Sequence, residues 1–133
     1  MKNLLILITI MLVGGCTPTP EQKVVGRYVG AFPFHPKDIV TFDLLKNGIA
    51  VHSENGKKDD SNHEWALVKG EVHVNLDGII QIFRINKEEG LDREMNVRSI
   101  TLIAMIEDDG NRTDLPEAAT IAGGLLSATF KKH

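Results

Sequence analysis

The sequence predicts an all-β fold: an antiparallel meander of about eight short strands, closed or nearly closed, with one short helix near the C-terminus. Two observations carry this. Apolar and polar residues alternate over 38–44, where Val40, Phe42 and Leu44 share a face, and over 71–76, where Val72, Val74 and Leu76 do. That period of two is the pattern of a half-buried strand. Turn pairs that accept positive φ (Asn47-Gly48, Asn55-Gly56, Lys69-Gly70, Asp77-Gly78 and Asp109-Gly110) recur at fairly even spacing between such runs.

The elements follow in order. Residues 24–30 read as a first strand bounded by glycine. Phe32-Pro33-Phe34-His35-Pro36 cannot be a regular central strand, because two prolines remove ladder donors. Residues 38–44 and 49–53 form a hairpin about Lys46-Asn47-Gly48, and 54–62 are a polar loop. Strands at 65–68, 71–76 and 79–85 continue the meander, and the charged stretch 86–96 reads as an exposed loop. Residues 97–106 are apolar on both faces, so that strand should be central or covered. Asp114 would cap a short helix running to about Ala122 and ended by Gly123-Gly124. Residues 125–132 read as the closing strand. An eight-stranded barrel has an interior just wide enough for side chains or one small ligand.

Composition excludes some partners. The 133 residues carry a formal net charge of −3, with no basic run longer than two. Sequence-independent nucleic-acid binding needs a basic surface, so no nucleic-acid partner is expected. With five Phe, one Tyr and one Trp, the core must lean on Ile, Leu and Val.

The first residues concern location. Lys2 and an apolar run over 4–13, broken only by Thr9, have the form of a secretory signal peptide. The run is far shorter than the ~20 residues needed to span a bilayer. Val13-Gly14-Gly15-Cys16 resembles the lipobox of bacterial lipoproteins, with a branched apolar residue followed by small residues before the cysteine. The resemblance implies thioether lipidation of Cys16, cleavage before it, and acylation of the new amino terminus. A thiolate is the nucleophile such chemistry needs, and several acyl chains, at ~0.8 kcal/mol per buried CH₂, make a stable anchor. Thr17 follows, not the aspartate that resembles an inner-membrane retention signal. That implies an outer-membrane anchor with the protein facing the periplasm. Cys16 is the sole cysteine, so no disulfide staples the domain. The expected organisation is a cleaved signal peptide at 1–15, the lipidated cysteine and an extended Pro-rich tether at 16–23, and a β-barrel domain at 24–133.

Other residues carry a second, looser resemblance. Gly26-x-Tyr28 opens a strand, Thr41-Phe42-Asp43-Leu44 precedes Asn47-Gly48, Trp65-Ala66-Leu67-Val68-Lys69-Gly70 precedes a Val-x-Val strand, and Ser127-Ala128-Thr129-Phe130-Lys131-Lys132 closes the chain. This pattern is similar to the small lipocalin-like domains of many bacterial envelope lipoproteins. It implies a small lipocalin-like barrel with a binding or assembly role, not a reaction. The 86–96 loop and the insertion near 116–124 depart from the plain meander.

Chemistry-bearing motifs are scarce. The five histidines lack the short spacing of a zinc motif, and the valines flanking His73 claim the core face, so His73 points to solvent. Similarly, His52 beside Val51 is expected outside. No serine sits in G-x-S-x-G and no glycine-rich phosphate loop precedes a helix. No catalytic residue, metal or cofactor is therefore expected. Phe32, Phe34 and Trp65 are the candidate binding residues. The two phenylalanines form either an exposed knob or a plug for one end of the barrel, and Trp65 either a ligand wall or a core residue. The expected function is that of a non-enzymatic envelope lipoprotein binding a protein partner or a small apolar ligand. The alternative is an inhibitor or immunity lipoprotein that blocks a hydrolase or toxin with its 54–62 or 86–96 loop.

Overall fold

Three two-residue turns set the order of the strands. Asn55-Gly56, Lys69-Gly70 and Asp77-Gly78 adopt left-handed backbone at both positions, the twist that lets antiparallel strands continue without splaying. The computed structural model describes residues 19–89 and 95–133. Its strands are β1 (Gly26–Phe32), β2 (His35–Leu44), β3 (Ile49–Glu54), β4 (Lys57–Lys58), β5 (His63–Val68), β6 (Glu71–Leu76), β7 (Ile79–Glu89), β8 (Met95–Ile106), β9 (Arg112–Asp114) and β10 (Thr129–Lys132). Eight of them close an antiparallel barrel in the order β1-β2-β3-β5-β6-β7-β8-β10, because β10 pairs with both β8 and β1. The short β4 and β9 are additions, paired to β3 and β8.

The alternation read from the sequence fills the barrel. Val40, Phe42, Leu44, Val72 and Val74 are buried in one cluster. At its centre the rings of Phe42, Phe83 and Phe130 meet edge-on, with centroids 5.6 Å (42–83), 5.2 Å (42–130) and 5.9 Å (83–130) apart. Edge-to-face contact is favourable because a ring's positive edge meets another's negative face. The waist of the barrel is therefore packed. Gly30 lets β10 seat against β1, since a Cβ there would lie 2.5 Å from the Thr129 carbonyl oxygen.

Several expectations need correction. The tether expected at 16–23 gives way to a helix, α1 (Pro20–Val24). Its signal is a capping box with proline at its start: Gln22 N–H donates to Thr19 Oγ1 and Thr19 N–H donates to Gln22 Oε1. The helix closes one end of the barrel. Val24 is buried, Tyr28 donates its hydroxyl to the Val24 carbonyl, and Lys132 Nζ donates to the Lys23 carbonyl at 2.9 Å. The expected C-terminal α-helix is instead a single 3₁₀ turn at Glu117–Thr120. Asp114 does not cap it, because Asp114 pairs with Ala104 in the sheet.

The Phe32–Pro36 loop shrinks to a two-residue turn, Pro33-Phe34, with Pro36 inside β2. The ladder tolerates that proline because pairing jumps from Phe32↔His35 to Gly30↔Val40, leaving Pro36 outside the regular register. The 86–96 stretch is also more regular than expected. Asn86 pairs with Ser99, Lys87 with Val97 and Glu89 with Met95, so β7 and β8 run on as a long hairpin. The closing strand is shorter than 125–132, which shapes the site described below. Residues 1–18, including Cys16, lie outside the described residues, and no described helix is long and apolar enough to cross a membrane.

Phe83→Ala should cost about 3–5 kcal/mol, as truncation of a fully buried phenylalanine does. Urea unfolding of the variant should show a lower midpoint with an unchanged slope.

Candidate functional site

The site arises from the shortness of β10. This strand covers only Thr101, Ile100 and Ser99 of β8, and only Tyr28 and Val29 of β1. Beyond it, β9 takes over the edge of β8 at Ala104–Ile106, and among the described residues no strand joins β8 to the end of β1. The chain between β9 and β10 bridges that gap. Its near end is fixed by Leu115 N–H, which donates to the Ile103 carbonyl. Its far end is fixed by hydroxyl contacts of Thr129 Oγ1 with Thr101 and Ser127, both at 3.0 Å. Arg84 ties its middle by donating to the Thr120 carbonyl.

Beneath this bridge, at the mouth opposite α1, lies a cavity of about 620 Å³. The β1–β2 corner contributes Phe32, Pro33 and Phe34, and β8 contributes Leu102 and Met105. The bridge contributes Leu115, Ala119, Leu126 and Ala128. Gln81 of β7 is the one polar side chain among the described residues of the wall. Its Oε1 is buried and has no hydrogen-bond partner.

The two candidate phenylalanines have different positions in this wall. Their rings stack at 5.5 Å with planes 20° apart. Phe32 is half-buried and meets Phe130 edge-on at 5.6 Å, so it belongs partly to the barrel core. Phe34 is 73% exposed and stands on the rim. Ile121, Leu125 and Leu126 of the bridge are exposed as well. Trp65 lies elsewhere. It is buried in the core, its Nε1 donates to the Leu45 carbonyl at 2.8 Å, and it does not line the cavity. Gln81 was not among the residues singled out from the sequence. Its signal is a polar residue inside the apolar run Ile79-Ile80-Gln81-Ile82-Phe83.

A second polar cluster closes the seam between β3 and β5, which share only the pairs Ile49↔Glu64 and Ala50↔His63. Asp59 folds back from the loop and its N–H donates to the His52 carbonyl at 3.0 Å. Its Oδ2 receives hydrogen bonds from His52 Nδ1 at 2.8 Å and His63 Nε2 at 2.7 Å. The expectation that His52 faces outward is overturned. His52 sits opposite Phe42 in the ladder, and directly opposed residues share a face. Its ring packs 5.2 Å from that of Phe42. His63 is buried too, whereas His73 lies on the other face near Glu71, at 3.7 Å. His52, His63 and His73 therefore do not converge. Among the described residues, no three His, Cys, Asp or Glu side chains are arranged to hold a metal ion. The adjoining cleft of about 660 Å³ is lined by charges of both signs, including Lys57, Lys58, Asp60 and Asp77.

Burial pushes the Asp59 carboxyl up, but hydrogen bonds from His63 and His52 and the attraction of their charge outweigh it. The net effect holds Asp59 below the ordinary carboxylate range. Comparison of the chain with protein-family models, with curated proteins and with solved structures found no match.

The exposures of the two phenylalanines lead to different costs on truncation. Phe34→Ala should change stability by less than about 1 kcal/mol, as exposed positions do. Phe32→Ala should cost about 2 kcal/mol, since half of a buried ring's contacts are lost. Chemical denaturation of both variants checks this. The Asp59 seam gives a pH dependence. A carboxyl whose folded pKa is depressed contributes stability above its unfolded value of ~3.9, and loses it as pH falls through the folded value. The Tm of the wild type should therefore fall more steeply below about pH 4 than that of Asp59→Asn, which has no proton to take up there.

Proposed function

We propose that this protein is a non-enzymatic, lipid-anchored envelope protein whose small lipocalin-like barrel binds a small apolar ligand at its mouth. The observation that carries this is the apolar cavity of about 620 Å³ above the packed phenylalanine cluster. Its volume lies within the ~300–1,000 Å³ usual for ligand sites, and such sites combine an apolar wall with few polar groups. The wall here has that composition, with Gln81 as its polar member. Phe32 and Phe34 form one side of it. Trp65 serves the core instead.

Cys16, as the lipidated residue, would hold the protein at the outer membrane, facing the periplasm. Support for the anchor is the Val13-Gly14-Gly15-Cys16 motif. Only Thr17-Pro18-Thr19 separate Cys16 from α1. At ~3.5 Å per residue they reach roughly 10–14 Å. The α1 end would thus lie near the bilayer and the mouth would open away from it. Ligand would then enter from the aqueous side.

A protein partner at the same mouth is a second reading. It is favoured by the exposed Phe34, Ile121, Leu125 and Leu126, since large apolar side chains clustered at a rim suit an interface. The inhibitor reading has less support. Its proposed 54–62 plug is held back by the β3–β4 hairpin and by Asp59.

The test is titration with N-phenyl-1-naphthylamine, whose fluorescence rises in apolar surroundings. Wild type should show saturable binding. Leu126→Asp places a charge at an exposed position of the wall, so it should weaken binding about tenfold with little change in Tm. Absence of saturable binding to the wild type would remove the ligand reading.

A further inference from the structure

Charge is sorted along the barrel axis. At the α1 end, the helix and the β2–β3 and β5–β6 turns present Lys23, Lys46 and Lys69, all exposed. Those three segments hold a single acid, Glu21. Lys87 stands beside them. It pairs with buried Val97, so it shares that inward face. Lys23, Lys87 and Gly70 border one small cavity of about 190 Å³ next to α1. Glu88 and Glu89 follow Lys87 in β7, which bounds the basic surface on that side. The mouth end has the opposite sign. Its connections at 77–78, 107–111 and 115–128 carry Asp77, Glu107, Asp108, Asp109 and Glu117 and no lysine or arginine. Lys57 and Lys58 at that end are offset by Asp59 and Asp60. The two α1-end turns also share a pattern. Leu45 precedes Lys46 and is 42% exposed, and Val68 precedes Lys69 and is 39% exposed. Each turn thus offers an apolar side chain next to an ammonium group.

We infer that the α1 end is a docking face for a bilayer containing anionic phospholipid. This rests on the proposed lipid anchor at Cys16. Two facts select that occupant. The three residues between Cys16 and α1 bring this end, and not the mouth, within reach of the bilayer. The lysines complement its charge, since ammonium groups are attracted to an anionic surface once they lie within about a Debye length of it, ~8–10 Å in ordinary salt. Leu45 and Val68 then enter the headgroup layer while Lys23, Lys46 and Lys69 meet the phosphates, the division of labour of interfacial segments. A single flexible link would let the barrel tilt freely. A second contact, through the lysines, holds it upright, and the acidic mouth is repelled by the same surface. Lipid composition therefore sets the orientation of the barrel.

The sole cysteine makes the test direct. Lipidation of Cys16 leaves Val68→Cys with one free thiol, to which a bimane is attached. The lipidated protein is placed in vesicles that carry a headgroup nitroxide quencher. One set is phosphatidylcholine alone and the other contains phosphatidylglycerol as well. Quenching at position 68 should be about threefold stronger with phosphatidylglycerol. It should return to the phosphatidylcholine level in about 0.5 M NaCl, where the Debye length is roughly 4 Å. Adding Lys23→Gln, Lys46→Gln and Lys69→Gln together should have the same effect. A bimane at Leu125→Cys, on the mouth, should stay unquenched in both lipids. Equal quenching at position 68 in the two lipids overturns the inference and leaves the anchor as the only hold on the membrane. So does a phosphatidylglycerol effect that survives salt and the triple substitution. Equal quenching at positions 68 and 125 overturns it too, because the barrel is then unoriented. A Cys16 that purifies as a free thiol removes the anchor and the inference together. If the triple variant does not fold, the salt comparison still decides the matter.

Discussion

The edge-on cluster of Phe42, Phe83 and Phe130 is the contact on which the rest of this barrel depends. The three rings come from β2, β7 and β10, which are far apart in the sequence, so together they fix how the ends of the meander meet. A barrel of this size has room at its waist for side chains or for a small molecule, but not both. The rings take that room. Any cavity must therefore form at an end of the barrel, and α1 occupies one end, with its Val24 buried. The mouth beside Phe32 and Phe34 is what remains.

Phe130 also explains why so short a strand as β10 can close the sheet. Four residues supply few ladder hydrogen bonds, but one of them carries a fully buried ring. Gly30 lets the two backbones approach closely enough for this to happen. The same shortness leaves β1 and β8 unjoined beyond Thr129. The bridge that spans them covers space without filling it. Closure and cavity are thus two results of one packing choice.

Elements with strict alternation are legible in the sequence alone. β6 begins and ends where the alternation places it, and the Asp77-Gly78 and Lys69-Gly70 turns take the left-handed backbone expected of them. Elements that depend on one neighbour are not legible in this way. Thr19 and Gln22 form a capping box that can be read in the sequence, yet the flanking prolines suggest an extended chain. His52 is misplaced by local reading because β3 carries no clear apolar face of its own. Val51 is larger than Ala50 and points the expectation outward, whereas Phe42 across the ladder turns Ala50 and His52 inward. Phe32 and Phe34 stack on one another, but nothing local to them shows that one supports the core while the other is largely exposed.

The sequence by itself determined an all-β chain, the sites of its hairpin turns and the inward faces of its strongly alternating strands. Period-two patterning and left-handed turn residues act locally, so they can be read locally. It also holds the Val13–Cys16 motif on which the proposed anchor rests. Only the tertiary structure decided where the barrel is full and where it is hollow. It also decided which face of β3 is inside and that Asp59 joins two histidines. Those outcomes depend on which distant strands become neighbours, and that is set by the packing of Phe42, Phe83 and Phe130 rather than by any one segment of the chain.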